Sequence, residues 1–292
     1  MREFQILFDH GESSEMLDPV YAPYGRLGFP APPPGRPWIY ANFVQTLDGV
    51  VSLLGRDGSG AEIAQSVEDR WLMDLLRAHA DGLLLGLGTL RLETAHERPR
   101  PRGPVFRIKD PSLQQLRKTL RKGREKNIFV SARGELALSD FAAFDGEHVD
   151  AMIVTGTAGA ARLAAQKASH PQVEILVAGN GETVDLPLAM RMLRERYGVR
   201  HLLCEGGPRL YASLLREGLI DEKFLTVSPC DAGQMVPLEE RTEGMAAIDA
   251  VRPPIGSGEG YAAGKMPHWR WLSCRKAGDH QFHRFRRLTE SV

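Results

Sequence analysis

Arg200-His-Leu-Leu-Cys204-Glu205-Gly206-Gly207-Pro208-Arg209-Leu210-Tyr-Ala-Ser-Leu-Leu-Arg-Glu217 joins an apolar run, two glycines and a helical stretch without interruption. His201 to Cys204 reads as a strand, and Pro208 suits a first helical turn, where its missing N–H costs nothing. The glycines let backbone amides approach a ligand, and a helix's free N–H groups and dipole favour an anion there. Alone, such a turn serves two readings equally, a phosphate cradle or a tight turn that requires glycine. Glu205 stands where a buried strand ends and a ligand would lie, a costly place for a carboxylate unless it binds something.

The same pattern recurs upstream. Asp81-Gly-Leu-Leu-Leu-Gly86-Leu-Gly88-Thr89 is an apolar strand ending in glycines, and Met152-Ile-Val-Thr155-Gly156 is a third. Further short strands are expected at 38–45, 127–131, 173–178 and 223–227, alternating with helical patterns at 158–168, 187–197 and 208–217. Ser66 followed by Asp69 marks a capped helix start with acids complementing the dipole, and Trp71, Leu72, Leu75, Leu76 and Ala80 recur on one stripe. A basic, proline-broken stretch from 91 to 109 precedes a helix at 111–122. The alternation predicts a three-layer α/β/α sandwich around a mainly parallel sheet. Two strands flanking Lys276-Ala-Gly-Asp279 predict a closing antiparallel hairpin, and 230–267 reads as irregular. Residues 1–35 are expected to be an extended Pro/Gly-rich arm without a ladder, and 36–292 a single domain.

Composition narrows the function. Lysine plus arginine equals aspartate plus glutamate at 37 each in 292 residues, so no global field draws nucleic acid or an acidic membrane. The three cysteines form no C-x-x-C or Cys/His cluster, which argues against structural zinc and a disulfide framework. No apolar run approaches a bilayer span, and the amino terminus lacks a signal peptide's apolar core, so a cytoplasmic protein is expected.

Four ordered segments, Asn42-Phe-Val-Gln-Thr-Leu-Asp48-Gly49, Leu76-Arg77-Ala-His-Ala-Asp81 running into Gly86-Leu-Gly-Thr89, Val154-Thr-Gly156 and Leu203-Cys-Glu-Gly-Gly-Pro208, resemble the reductase domain of the bifunctional riboflavin-biosynthesis deaminase–reductase. The resemblance spans about residues 36–286 and implies the dihydrofolate reductase fold and an NADPH-dependent pyrimidine reductase. The deaminase's zinc signature does not occur. By resemblance the cofactor lies along Gly86, Gly88, Thr89, Thr155, Gly156, Gly206, Gly207, Pro208, Arg209 and Leu210. Ser131 and Arg133, just past another strand, are candidates for the adenosine 2′-phosphate, or an ordinary solvated loop.

For the substrate side the resemblance implies Asn42, Asp48, Arg77, Glu93 and Glu205. Glu205 and Asp48 are the catalytic candidates, and Asn42, Arg77 and Glu93 the substrate-binding ones. Asp48 has an alternative role in shaping the Asp-Gly turn, and Arg77 in meeting its helix's dipole. No metal is expected. The implied reaction is hydride transfer to the ribosyl carbon of 5-amino-6-(5-phosphoribosylamino)uracil, in a homodimer as in relatives. Reduction of dihydrofolate or another heterocycle, or NADPH binding without turnover, remain alternatives. The stretch Thr89-Leu-Arg-Leu-Glu93 keeps one acid where the bifunctional family has an acidic pair, so reductase chemistry is better supported than the substrate.

Overall fold

The computed structural model describes residues 3–11, 23–53, 60–96, 102–233, 261 and 264–288. Along the chain its strands are β1 (Gln5–Asp9), β2 (Trp38–Gln45), β3 (Gly82–Gly86), β4 (Lys126–Val130), β5 (Asp150–Thr155), β6 (Val173–Val177), β7 (His201–Cys204), β8 (Glu222–Val227), β9 (Trp269–Ala277) and β10 (His280–Arg287). They form one sheet in the order β1-β9-β10-β8-β2-β7-β3-β4-β5-β6. From β8 to β6 every described pairing is parallel; β10, β9 and β1 extend the sheet antiparallel. Parallel strands need crossovers, which the chain supplies as helices.

Those helices are α1 (Gly60–Ala64), α2 (Val67–His79), α3 (Leu87–His96), α4 (Pro111–Thr119), α5 (Thr157–Lys167), α6 (Leu186–Tyr197) and α7 (Pro208–Arg216). Successive strand residues point to opposite faces, so the strands feed two cores. Tyr40, Leu203 and Phe224 face one with Trp71, Leu72, Leu75 and Leu76 of α2. Ile39, Leu202 and Cys204 face the other with Met190 and Leu193 of α6 and Leu210, Tyr211 and Leu214 of α7. Burying each such leucine stabilises the fold by about 1.5–3 kcal/mol. Ser66 caps α2 as its sequence predicts, its hydroxyl accepting the Asp69 N–H at 3.1 Å.

Three expectations are corrected. The chain does not leave β3 for an irregular stretch: α3 starts at once at Leu87, with buried Leu87 and Leu90 but exposed Leu92. Its start carries a glycine and no capping side chain, so neither helix signal was present. The helix expected over 111–122 stops at Thr119, and Arg121 adopts a positive φ of 53°. The amino-terminal arm does carry a ladder, because β1 pairs with β9. Proline content concentrated at 30–34 masked the strand, while Phe4, Tyr24 and Leu27 join the core.

Arg275, 1% exposed, fastens this arm. Its guanidinium donates to Asp9 at 2.8 Å and to the Tyr24 carbonyl at 2.6 Å, and lies 3.9 Å over the Tyr24 ring. The expected irregular stretch at 230–267 falls mostly outside the described residues.

Candidate functional site

Because β2, β7, β3, β4 and β5 run parallel, their carboxyl ends share one edge of the sheet, the usual place for ligands in open α/β folds. Along it the turns follow in order: Thr46–Gly49 after β2, Glu205–Gly207 after β7, Gly86–Thr89 after β3, Ser131–Arg133 after β4 and Thr155–Gly156 after β5. From β7 to β5 is three strand spacings, roughly 14 Å.

The centre of the edge is tightly built. An added Cβ at Gly206 would collide with the Gly86 amide nitrogen and Leu85 Cα, so only glycine lets the β7 turn pass the end of β3. Gly207, at φ +23°, donates its N–H to the Thr89 hydroxyl at 3.0 Å. These contacts bring Gly86, Thr89, Gly206 and Gly207 together, with Leu210 packed on Gly86. Pro208, Arg209 and Leu210 form the first turn of α7, ahead of its first backbone bond, from the Tyr211 N–H to the Gly207 carbonyl. Gly88 differs from Gly206: a Cβ there would meet nothing within 4 Å. The open space at Gly88, beside the starts of α3 and α7, fits a group that approaches backbone closely and carries negative charge.

The outer turns are filled by the chain itself. Thr155 is fully buried, and its hydroxyl donates to the Ala132 carbonyl at 3.2 Å. A side chain at Gly156 would strike the Gly181 and Thr183 carbonyls, and the Thr157 and Ala158 N–H groups at the start of α5 donate to Gly179 and Gly181. The Ser131 hydroxyl accepts the Gly134 N–H at 3.1 Å. Arg133 is 65% exposed and 3.4 Å from Glu182, so it faces solvent at the far end of the edge.

Beneath the centre lies Glu205. Strand alternation turns its side chain toward α2, and Arg77 there forks onto it, Nε to Oε1 at 2.9 Å and Nη2 to Oε2 at 2.6 Å. Arg77 also reaches Asp74 at 3.5 Å and donates to the Arg107 carbonyl at 3.0 Å. Burial alone would lower the Arg77 pKa, but the charge and hydrogen bonds of Glu205 outweigh it and the net shift is upward. The guanidinium expected to bind substrate is thus engaged by Glu205 and by the loop before α4. Asp74 in turn accepts the Lys109 and Asp110 amides, so α2 ties this loop to the site.

Asp48 is likewise committed. Burial opposes its charge, yet hydrogen bonds from Thr46 and the Ala232 and Gly233 amides, the latter at 3.1 and 2.8 Å, lower its pKa. It shapes the turn and clips the chain after β8. Asn42 lies on the same face of the sheet as Glu205, its Oδ1 buried without a hydrogen-bond partner. Glu93 is half-buried on α3, one turn past Thr89. Cys204 is no nucleophile here, because burial pushes its thiol up to about 12. Among the described residues no group of His, Cys, Asp and Glu could hold a metal ion, and no helix is long and apolar enough to cross a membrane.

One residue of this neighbourhood escaped the sequence reading. Asp69, taken as a cap companion, turns toward β8, and burial raises its pKa despite the adjacent Thr226 hydroxyl and the charges of His280 and Arg70; Glu205 adds to the rise.

Sheet order and edge define the class: a three-layer α/β/α protein of the dihydrofolate reductase-like fold with an antiparallel carboxyl-terminal hairpin. Residues 37–245 match the RibD C-terminal domain, and the chain belongs to that family. It is 28% identical over 202 residues to the 2,5-diamino-6-ribosylamino-4(3H)-pyrimidinone 5′-phosphate reductase of Archaeoglobus fulgidus, covering 68% of this chain and 83% of that protein. It is 27% identical to the riboflavin biosynthesis protein RibD of Aquifex aeolicus, covering 68% of this chain and 48% of the other. Among solved structures, a pyrimidine reductase-like protein of Corynebacterium diphtheriae superposes with a TM-score of 0.64 at 21% identity, over 87% of this chain and 93% of that one. Acinetobacter baumannii RibD gives 0.60 at 18% identity, over 87% of this chain and 59% of the longer RibD chain. These structural likenesses speak for the fold.

Proposed function

We propose that the protein is an NADPH-dependent reductase of a 6-ribosylaminopyrimidine 5′-phosphate, acting in riboflavin biosynthesis. The observation that carries this reading is the pairing of Gly206 with Gly86 and of Gly207 with Thr89, which sets two helix starts side by side next to an arginine-held glutamate. The relative in Archaeoglobus fulgidus, named for a diaminopyrimidinone phosphate, supports the substrate class.

NADPH, when bound, supplies the hydride that reduces the ribosyl carbon to the ribityl level. Gly88, Arg209 and Leu210 would hold its phosphates through backbone amides, and Arg133 would meet a 2′-phosphate at the far end of the edge. Glu205, fixed by the Arg77 fork, orients the substrate against the cofactor, a fixed geometry being the protein's main contribution to such a reaction. Asn42 offers an unpaired amide oxygen on the same face, and Glu93, one turn past Thr89 on α3, would lie on the substrate side. Asp48 acts by holding the turn beside them. The same reading places the enzyme in the cytoplasm as a homodimer.

Mixing the purified protein with NADPH and either the diaminopyrimidinone or the aminouracil ribosylamine phosphate should consume absorbance at 340 nm. The preferred substrate is the one with higher kcat/KM. No consumption with either, alongside tight NADPH binding, would favour a nucleotide-binding protein without turnover. Turnover of dihydrofolate instead would move the assignment to another heterocycle.

A further inference from the structure

Residues 106–108, on the approach to α4, are held one after another by buried side chains. Asn127 on β4 donates its Nδ2 to the Phe106 carbonyl at 2.8 Å, Arg77 on α2 donates to the Arg107 carbonyl at 3.0 Å, and Glu125, just before β4, accepts the Ile108 amide at 2.9 Å through Oε2. Arg117 on α4 grips the end of α2 itself, its Nη1 donating to the Arg77 and Ala80 carbonyls at 3.1 and 2.6 Å. Arg77 is therefore fixed at its backbone as well as at its guanidinium.

These four side chains do not close on one another. Arg77, Arg117, Glu125 and Asn127 line one cavity of about 10 Å³. Asn127 stands opposite Leu83 in the β3–β4 register, and Leu83 faces the core under α2 and α4, so the amide points away from solvent. Asn127 is 1% exposed, and its Oδ1 finds no hydrogen-bond donor among the described residues. A buried amide oxygen is ordinarily satisfied by protein or by ordered water. A space of this volume takes one water and nothing larger, provided that two or more polar partners surround it. The lining meets that need: the Asn127 oxygen and the Glu125 carboxylate accept the two protons of a water, and guanidinium N–H groups donate to its lone pairs.

We propose that this cavity holds one ordered water, which joins Asn127 Oδ1 and Glu125 to the guanidiniums beside them and makes Asn127 a positioning residue for the Arg77–Glu205 fork. Arg77 is then held from two sides. Glu205 draws Nε and Nη2 toward the sheet edge, while the hydrated clamp fixes the arginine at the opposite end, where a bare cavity would let it relax away from the glutamate. The hydration stands apart from any activity; the effect on turnover rests on the reductase reading above.

The test begins with a high-resolution crystal structure of the wild-type protein, which should show a solvent peak within hydrogen-bond distance of both Asn127 Oδ1 and the Glu125 carboxylate. An apolar void there would overturn the proposal. The second arm compares Asn127→Leu with Asn127→Asp. Both lose the bond to the Phe106 carbonyl, but aspartate keeps an oxygen toward the cavity, so the difference between them reads the water alone. In nitrogen-15 NMR of arginine-labelled protein, Asn127→Leu should speed solvent exchange of the Arg77 Nε proton at least tenfold and Asn127→Asp less than threefold. The Leu203 amide, paired within the sheet, should exchange at the wild-type rate in both, since a merely structural loss would move it too. Equal acceleration by the two variants, or parallel acceleration at Leu203, would refute the positioning role. In the steady-state assay Asn127→Leu should lower kcat several-fold and leave the KM for NADPH unchanged; an unaltered kcat counts against Asn127. Absent turnover in the wild type, with the solvent peak present, sinks the reductase reading and leaves the water in place.

Discussion

Arg77 and Glu205, 128 residues apart in sequence, form a two-pronged ion pair in which both side chains are less than a tenth exposed. Removing one partner strands the other as a buried, unpaired charge, which typically costs 3–5 kcal/mol. Arg77→Met should therefore lower the unfolding free energy by about 3–5 kcal/mol, and Arg77→Lys by less, since lysine keeps the charge but loses the fork. The double variant Arg77→Met/Glu205→Leu should recover much of the stability and none of the reductase activity. Urea denaturation of the set checks this. A double variant as unstable as the sum of the singles would contradict it.

The two glycines on the turns of β7 and β3 should respond oppositely to alanine. Gly206→Ala forces a methyl group into the backbone at Leu85 and Gly86, so expression or thermal stability should drop sharply, as overpacking costs about 1–3 kcal/mol even where side chains can yield. Gly88→Ala meets open space within α3 and should stabilise the helix by about 0.5–1 kcal/mol. If cofactor phosphates lie there, its Kd for NADPH should nonetheless rise several-fold in a fluorescence titration. An unchanged Kd would remove Gly88 from the cofactor path.

His79 should dominate the acid side of stability. Burial first, then the charges of Lys122, His201 and Arg284, push its pKa down to about 3, against about 6.5 when unfolded. With the folded value depressed, the contribution is complete above about pH 6.5 and is lost as pH falls toward 3, at up to about 1.4 kcal/mol per pH unit. His79→Phe, beside Phe29, should flatten the fall of the melting temperature between pH 6.5 and 5. An equal slope in wild type and variant would assign the acid limb elsewhere.

Much of this architecture could be read from period and punctuation. The parallel strands and α2, α6 and α7 announce themselves through apolar runs, Ser66, and Pro208 in its first turn, because burial and capping are local demands. The start of α3 at Leu87 has neither signal, and β1 was obscured by the prolines after it. In the site, motifs located the edge and its glycines, but not what each residue touches. Nothing in Arg77 or Glu205 alone says that they meet, since the pairing depends on strand order and face. Asp69 was hidden for a related reason: three residues after a capping serine, an acid already has an explanation.

Arg275 and Asp9 join the last hairpin to the first strand, 266 residues away in sequence. In the described sheet β1 pairs with β9 alone, and most of the described chain lies between the two strands in sequence. Until β9 is in place, β1 with its exposed Ile6 and Leu7 is an unpaired strand, and joining the two is a long-range closure of the kind that slows folding and leaves edges open to other chains. Once made, that pairing lets each strand shield an edge the other would leave open.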